Sequence, residues 1–513
     1  MGGGIERDAS GLDAQLRARA AAAVAEHGAE VAADPWRQSF HVQPQVGALA
    51  DPVGLVWHDG VYHLCHLLKL FEPQSPPIFW VHLSSLDLVH WSDPAIALAP
   101  SNDFDSHGCY SGSGIVQDGQ VRLLYTGNVR TPDGGRTPYQ CLATLQEDGT
   151  AVKHPANPLF GAIAGYTPHL RDPHVWVADG SFLMLLGAQT DDLHGSLVML
   201  RSADLVEWEL LGQVAGGADE PFGYMWECPG LVRLVDRAKP AAGARDVLIV
   251  SPQFDHGAEA GAARFEDTTY YTCGELSLDP PRLAHGQFLR FDLGPDFYAP
   301  RTLVAADGRT IVIGWMGMPV HPGEPEIGDR HPTVANGWVH CLAVPRTLEL
   351  VDGRLVQWPV PELDQLHGDP VVFGDVAVAS GQAVSLPGVE GACLDLYVSA
   401  DPAPGAALVV GLREGPGQAT LLTVDPWSGS VTLDRGTSGR GERGAVSGHL
   451  ESAGSFTLRL LVDNSSVEVF VNGGRVTMSA RIYPDVDATG ISFAAHGGPV
   501  TLAEVTCHPM RGT

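Results

Sequence analysis

Three acidic side chains carry the chemistry this sequence could perform. Asp51 stands in HVQPQVGALADPVG, Asp172 in YTPHLRDPHVW and Glu227 in GYMWECPG. Each lies just upstream of an apolar run that reaches a turn and leaves again. Asp51 and Asp172 are followed by proline, which holds the preceding residue extended. A lone Asp-Pro is usually a strand end, but three acids in matching places of a repeat converge if the repeats surround an axis. Carboxyls crowded together have their pKa values pushed apart, so one can be ionised while another keeps its proton. Neither HExxH nor GxxxxGK[ST] occurs, so no metal or phosphate-cradling motif competes with this reading.

The elements that must position these acids are repeated. LVWHDGVYHLC (Leu55 to Cys65) is an apolar run turning at Asp59-Gly60, a strong hairpin signal because both turn residues must accept positive φ. The same shape recurs at Asp118-Gly119, Asp179-Gly180 and Asp307-Gly308, and a looser copy with a longer loop spans Leu231 to Pro252. Successive turns are roughly 60 residues apart, a spacing in keeping with radial repeat folds. Two copies share a further tail, SSLDLVHW (Ser84 to Trp91) and RSADLVEW (Arg201 to Trp208). Five strand-turn-strand units predict a five-bladed β-propeller over 35–361, its innermost strands lining a funnel.

Outside the propeller, 1–34 is an Ala-rich helical extension, expected to break near Gly28. PVPELDQLHGD (Pro359 to Asp369) reads as a linker, and 362–513 then predicts a β-sandwich from short alternating strands with Gly, Asn and Asp turns. The fold class is all-β. With 513 residues, 61 Gly, 38 Pro and a net charge of −29, the chain is globular and turn-rich. The acidity argues against nucleic acid or an anionic membrane as partner. Its eight Cys are scattered singly, without CxxC pairs. No basic region followed by an apolar core opens the chain and no long apolar run follows, so a cytoplasmic protein is expected.

The motifs around the acids resemble those of glycoside hydrolase family 32, the invertases, sucrose-6-phosphate hydrolases and related β-fructofuranosidases. RDP (Arg171 to Pro173) and WECPG (Trp226 to Gly230) match its two most specific motifs. YSGSG (Tyr110 to Gly114), YTGN, DFYAP (Asp296 to Pro300), GWMG and SSVEVFVN (Ser465 to Asn472) are similar to further family segments. The resemblance covers almost the whole chain after about Asp34 and implies the same propeller-plus-sandwich architecture. It implies Asp51 as nucleophile, Glu227 as general acid/base and Asp172 as transition-state stabiliser. Retaining glycoside hydrolysis needs two such carboxyls and no cofactor. Arg171 could hold Asp172 ionised or reach sugar hydroxyls; Ser111 lies in the SGS segment, and Trp80 and Trp226 offer flat faces to a sugar.

The first motif departs from the family. Where it usually has Asn-Asp-Pro-Asn-Gly, this chain has Ala50-Asp51-Pro52-Val53-Gly54; where it usually has Tyr-Gln-Tyr-Asn-Pro, this chain has His66-Leu67-Leu68-Lys69-Leu70. Amides at Ala50 and Leu67 are thus absent, which should change the sugar, the reaction or the rate. His63 and His66, three apart, face opposite sides of a strand, so a shared metal is not expected. His63 reads as structural, while His66 and Lys69 could recognise an anion or a base. The leading expectation is a retaining β-fructofuranosidase on sucrose or a related small β-fructofuranoside, the substrate its only implied partner. A divergent enzyme eliminating water from another ketofuranoside, such as a ketohexose nucleoside, is the alternative. A non-catalytic sugar-binding propeller is the third. The linkage, a phosphate preference and any homo-oligomer stay open.

Overall fold

The computed structural model describes residues 9–70, 77–254, 267–319, 327–451 and 453–513. It groups into two compact units that interleave along the chain. One comprises 1–29, 44–290 and 298–315, the other 30–43, 291–297 and 316–513.

In the first unit, four antiparallel four-stranded meanders follow one another. The first is β1 (Gly47–His58), β2 (Val61–Lys69), β3 (Ile78–Ser85) and β4 (Ala95–Leu98). The second is β5 (Cys109–Gln117), β6 (Gln120–Arg130), β7 (Arg136–Leu145) and β8 (Ala151–Lys153). The third is β9 (Tyr166–Ala178), β10 (Ser181–Thr190), β11 (Gly195–Ser202) and β12 (Glu209–Gly216). The fourth is β13 (Met225–Val235), β14 (Ala244–Gln253), β15 (Tyr270–Leu278) and β16 (Pro281–His285), with the two-residue β17 (Leu289–Arg290) added to β15. A fifth hairpin pairs β18 (Tyr298–Val304) with β19 (Thr310–Met316). The innermost strands touch in the cycle β1, β5, β9, β13, β18 and back to β1, which closes a five-bladed propeller.

The turns that announced the blades are present. Asp59-Gly60, Asp118-Gly119 and Asp179-Gly180 all have positive φ, as two-residue hairpin turns require, and Asp307-Gly308 joins β18 to β19. The shared tails are one structure: Asp87 and Asp204 each accept the N–H groups two and three residues on, and Leu88 and Leu205 tuck into the core with positive φ. Such Asx turns re-enter the outermost strand.

One sequence expectation is corrected. The N-terminal helix α1 (Ala9–Ala32) runs through Gly28 without a break, as a single Gly costs only about 1 kcal/mol in a helix otherwise rich in Ala. Arg17 of this helix donates to the Ile96 and Ala97 carbonyls of β4, the edge strand of the first meander. The stretch read as a linker holds a 3₁₀ turn, Pro361–Leu366, with Leu363 and Leu366 buried.

In the second unit, two six-stranded antiparallel sheets share one apolar core of Leu, Val, Ile and Phe side chains. One sheet orders Val371–Val378, Val500–Pro509, Leu394–Pro402, Phe456–Asp463, Ser466–Val471 and Val476–Arg481. The other orders Ala383–Val384, Gly490–His496, Ala407–Gly415, Gln418–Asp425, Ser430–Thr437 and Ala445–His449. This is the β-sandwich. Among the described residues, no helix is long and apolar enough to cross a membrane.

Candidate active site

The site is built from one irregularity repeated five times. Every innermost strand carries an extra residue opposite its neighbour, at Asp51, Ser111, Asp172, Cys228 and Ala299. Such β-bulges bend a strand and re-aim its side chains. Proline follows in four of the five strands (Pro52, Pro173, Pro229, Pro300), as suits a position that need not donate to the ladder. In β5 the place is taken by Gly112, where a Cβ would fall 1.9 Å from the Leu124 carbonyl oxygen. This X-Pro series was the readable signal for the bulges; only its two Asp-Pro members had been singled out.

The bulges stack the residues in layers. Asp51, Ser111, Asp172, Cys228 and Ala299 form one layer by register, and the residues just before them, Ala50, Tyr110, Arg171, Glu227 and Tyr298, form another. The three acids are therefore not in matching repeat positions. Asp51 and Asp172 are; Glu227 stands one residue earlier, and its blade presents Cys228 in the carboxylate layer.

Within that layer, the Ser111 hydroxyl donates to Asp51 Oδ2. Cys228 Sγ lies 3.6 Å from Asp51 Oδ2 and 3.7 Å from Asp172 Oδ2, so one thiol touches both carboxylates. The Cys228 amide also donates to Asp172 Oδ2 at 3.0 Å, and the Asp172 amide donates to Thr126 Oγ1 at 3.0 Å. Asp172, Cys228 and Ala299 all hold positive φ, a strained conformation kept by these bonds. Burial raises the pKa of Asp51, with the Glu227 charge adding to it and Ser111 and Arg301 opposing. Burial also pushes Asp172 up to about 6, against the pull of Arg171.

In the other layer, Arg171 donates Nε and Nη2 to Glu227 Oε1 at 3.0 and 2.7 Å. Tyr298 donates its hydroxyl to Glu227 Oε2 at 2.8 Å. Arg171 reaches Gln253 Oε1 at 3.3 Å and His169 Nδ1 at 3.0 Å, while its Nε is 3.9 Å from Asp172 Oδ2. Burial alone would depress the Arg171 guanidinium, but the Glu227 and Asp172 carboxylates outweigh it and hold the cation. Arg171 thus pairs first with Glu227, not with its sequence neighbour. Tyr298, Cys228, Thr126 and Gln253 were not anticipated as site residues; their partners come from other blades.

Three expected substrate contacts, Trp80, Trp226 and His66, are buried away from a ligand. Trp80 and Trp226 are fully buried; the Trp80 indole donates to the Tyr110 carbonyl and that of Trp226 to Phe222, so neither offers a face to a sugar. They are packing residues, and Trp80 braces the strand beside the Ser111 bulge. His66 is buried and its Nδ1 donates to the Leu67 carbonyl at 2.9 Å; burial pushes its pKa down to about 4, so it is a neutral ring and not an anion receptor. His63 pairs with His82, Nδ1 to Nε2 at 3.0 Å. Ala50 and Leu67 face each other across β1 and β2 with little surface, and Val53 has none, so at Val53 no ligand face exists. Leu67 offers no polar group to a ligand.

Known proteins share this architecture. The family model "Glycosyl hydrolases family 32 N-terminal domain" matches residues 41–359, and "Glycosyl hydrolases family 32 C terminal" matches 362–509. The chain is 38% identical over 483 residues to a sucrose-6-phosphate hydrolase of Bacillus subtilis, covering 92% of this chain and 94% of that one. It is 36% identical to a sucrose-6-phosphate hydrolase of Salmonella typhimurium, covering 88% and 90%. Among solved structures, a sucrose-6-phosphate hydrolase of Lactobacillus gasseri superimposes with a TM-score of 0.82 at 28% identity, covering 96% of both chains. A Bombyx mori β-fructofuranosidase gives 0.80 at 25% identity, covering 97% and 98%. Matched along nearly its whole length in propeller and sandwich alike, the chain belongs to glycosyl hydrolase family 32.

Proposed function

We propose that this enzyme is a retaining β-fructofuranosidase of the sucrose type, working by double displacement on Asp51 and Glu227. The observation that carries the reading is the two-layer site, with Asp51 and Asp172 sharing Cys228 and Glu227 gripped by Arg171 and Tyr298. The Asp51 carboxylate attacks the anomeric carbon of the fructosyl unit. The bond to the leaving oxygen breaks, and that oxygen takes its proton from Glu227. Water then gives a proton to the Glu227 carboxylate and attacks the same carbon, freeing Asp51. Asp172 accepts hydrogen bonds from sugar hydroxyls that strengthen as oxocarbenium character develops. Arg171 and Tyr298 fix both oxygens of Glu227 against the leaving group.

A phosphorylated leaving group fits the charges around Glu227. Arg130 and Arg136 are directly paired across β6 and β7, a repulsive arrangement unless an anion is shared. Burial and the neighbouring Arg171 and Arg130 push the Arg136 pKa below its usual range, with Tyr110 and Glu227 close enough to oppose them. Such a cation group on a chain of net charge −29 favours sucrose 6-phosphate over sucrose, as the names of the bacterial relatives also suggest.

The test is NMR product analysis of wild type and Glu227→Gln with sucrose, sucrose 6-phosphate, short fructans and a ketohexose nucleoside. Free fructose or its glycosyl partner from wild type, lost in the variant, is expected. No fructose from any fructoside would overturn the reading, and an unsaturated nucleoside with its glycosidic bond intact would replace it by elimination. Arg136→Gln should raise KM for sucrose 6-phosphate about tenfold and leave KM for sucrose unchanged.

A further inference from the structure

Beneath the carboxylates lies a buried cation that the reaction scheme does not use. Two residues beyond each bulge, the register places Val53, Ser113, His174, Gly230 and Arg301 as the next layer of the funnel. This layer follows the bulges along every innermost strand, and the Arg301 charge is near enough to act on Asp51, Asp172 and Cys228. Arg301 is 3% exposed. Its Nη1 donates to the Pro229 carbonyl at 2.9 Å, and its Nε and Nη2 have no hydrogen-bond partner among the described residues. Its counterpart in the neighbouring blade is Gly230, where an added Cβ would meet nothing within 4 Å.

A buried guanidinium without an ion pair is costly unless charges nearby compensate it. Those within reach are the Asp51 and Asp172 carboxylates, both of which feel the Arg301 charge, together with the Cys228 thiol. The other titratable neighbour, His174, is buried, donates to the Leu231 carbonyl and is held neutral, its pKa pushed down to about 4 by burial and by Arg301. The Pro229 carbonyl belongs to the bulge that carries Cys228, where the ladder is interrupted and a backbone acceptor needs another partner.

We propose that Arg301 is a positioning residue of the active site: it pins the Cys228–Pro229 bulge from below and supplies the buried positive charge that keeps Asp51 and Asp172 ionised. It touches no reacting atom, and it rests on the reading of those two carboxylates as catalytic. Ionised, Asp51 can attack and Asp172 can accept hydrogen bonds from the sugar. Without the cation, the two acids face desolvation and the Glu227 charge with fewer groups opposing protonation, Ser111 at Asp51 and Arg171 with the Cys228 amide at Asp172.

The test compares Arg301→Lys with Arg301→Met, and with Arg301→Gln should the Met variant fail to fold. Two quantities are read: the pH profile of kcat/KM for sucrose, and the titration of the aspartate carboxyl carbons by NMR with ¹³C-labelled Asp, assigned with Asp51→Asn and Asp172→Asn. Removing a cation raises an acid's pKa, so in the uncharged variants both carboxyl titrations and the acid limb should move up by about one pH unit or more. KM should change little, and kcat should fall about tenfold on the acid side of the limb but only about twofold near pH 7, since less of the enzyme carries ionised carboxylates. Arg301→Lys should restore the limb, because it keeps the charge. Unmoved carboxyl titrations in a folded uncharged variant would overturn the proposal, as would an equal loss of rate at every pH. Moved titrations in an enzyme that releases no fructose would leave the role of Arg301 standing and sink the proposed reaction instead.

Discussion

Two groups of buried carboxylates in this molecule are treated in opposite ways. In the second unit, His41 Nδ1 lies 2.7 Å from Asp463 and its Nε2 2.9 Å from Glu468. Arg346 forks onto Glu468 and reaches Asp292 at 2.9 Å, and Ser479 donates to Asp292 as well. Backbone amides of Ser39, Phe40 and Asn464 donate to Asp463, and that of Val344 to Glu468. Every acid there is saturated by donors, and the pKa values of Asp463 and Glu468 end below the usual range although burial alone would raise them. In the propeller site, Asp172 is buried and Asp51 half-buried, both are incompletely paired, and desolvation prevails. Complete pairing makes a carboxylate a structural fixture; partial pairing leaves it able to change protonation or attack. The difference separates scaffold from chemistry inside one chain.

The comparison breaks most visibly at Glu227. Glu227→Gln keeps a polar partner for Arg171 and Tyr298, so kcat should fall roughly 10³-fold with the thermal midpoint nearly unchanged. An unfolding midpoint that collapses with activity would place Glu227 in the scaffold class. The reverse should hold for Glu468→Gln, which removes one of the two buried anions that Arg346 and His41 each hold. A loss of about 3–5 kcal/mol in denaturant unfolding is expected, and a stable protein would contradict the saturation argument.

The pH dependence of unfolding sharpens the contrast. Asp463 and Glu468 contribute stability that is present above their unfolded pKa values, near 4, and is lost as pH falls through their depressed folded values. For His41, burial alone would lower the pKa, yet Asp463 and Glu468 outweigh it and raise the ring to about 9. Its contribution is full below the unfolded value near 6.5 and fades as pH rises towards about 9. His41→Gln should flatten that alkaline decline. Asp172 behaves oppositely: its folded pKa is raised to about 6, so its ionisation costs stability progressively as pH climbs from near 4 through 6. Asp172→Asn should therefore abolish activity while raising stability at pH 7 by about 1 kcal/mol. A destabilised variant would mean that the Cys228 amide, which donates to Asp172, matters more than the charge. The smallest effect is expected from Trp80→Phe, which removes one hydrogen bond to Tyr110 for about 1 kcal/mol of stability. KM for sucrose should stay unchanged; a rise would restore Trp80 as a sugar contact.

Much of the scaffold was legible because its signals are local. An Asp-Gly between apolar runs dictates a hairpin from the φ values the turn demands, and counting such turns counted the blades. Asp51 and Asp172 stood out because a proline follows each and marks a bulge, whereas the register shows Cys228, not Glu227, in their layer. The misreadings concern properties that depend on neighbours far along the chain. Trp80 and Trp226 look like sugar platforms until their burial is known, and His66 looks like a cation until desolvation makes it neutral. Gly28 reads as a helix break, yet the Ala-rich sequence around it carries the helix through.

Turn chemistry and strand alternation are determined by the sequence itself, since each depends on the conformational preferences of a few adjacent residues. The partner of each acid is a different matter. That Arg171 grips Glu227 instead of Asp172, that Cys228 touches two carboxylates, and that Arg301 stands under both follow only from closing five blades into a ring. Burial and the distances between charges, which set protonation and therefore role, are properties of that closed arrangement, and no stretch of the chain carries them alone.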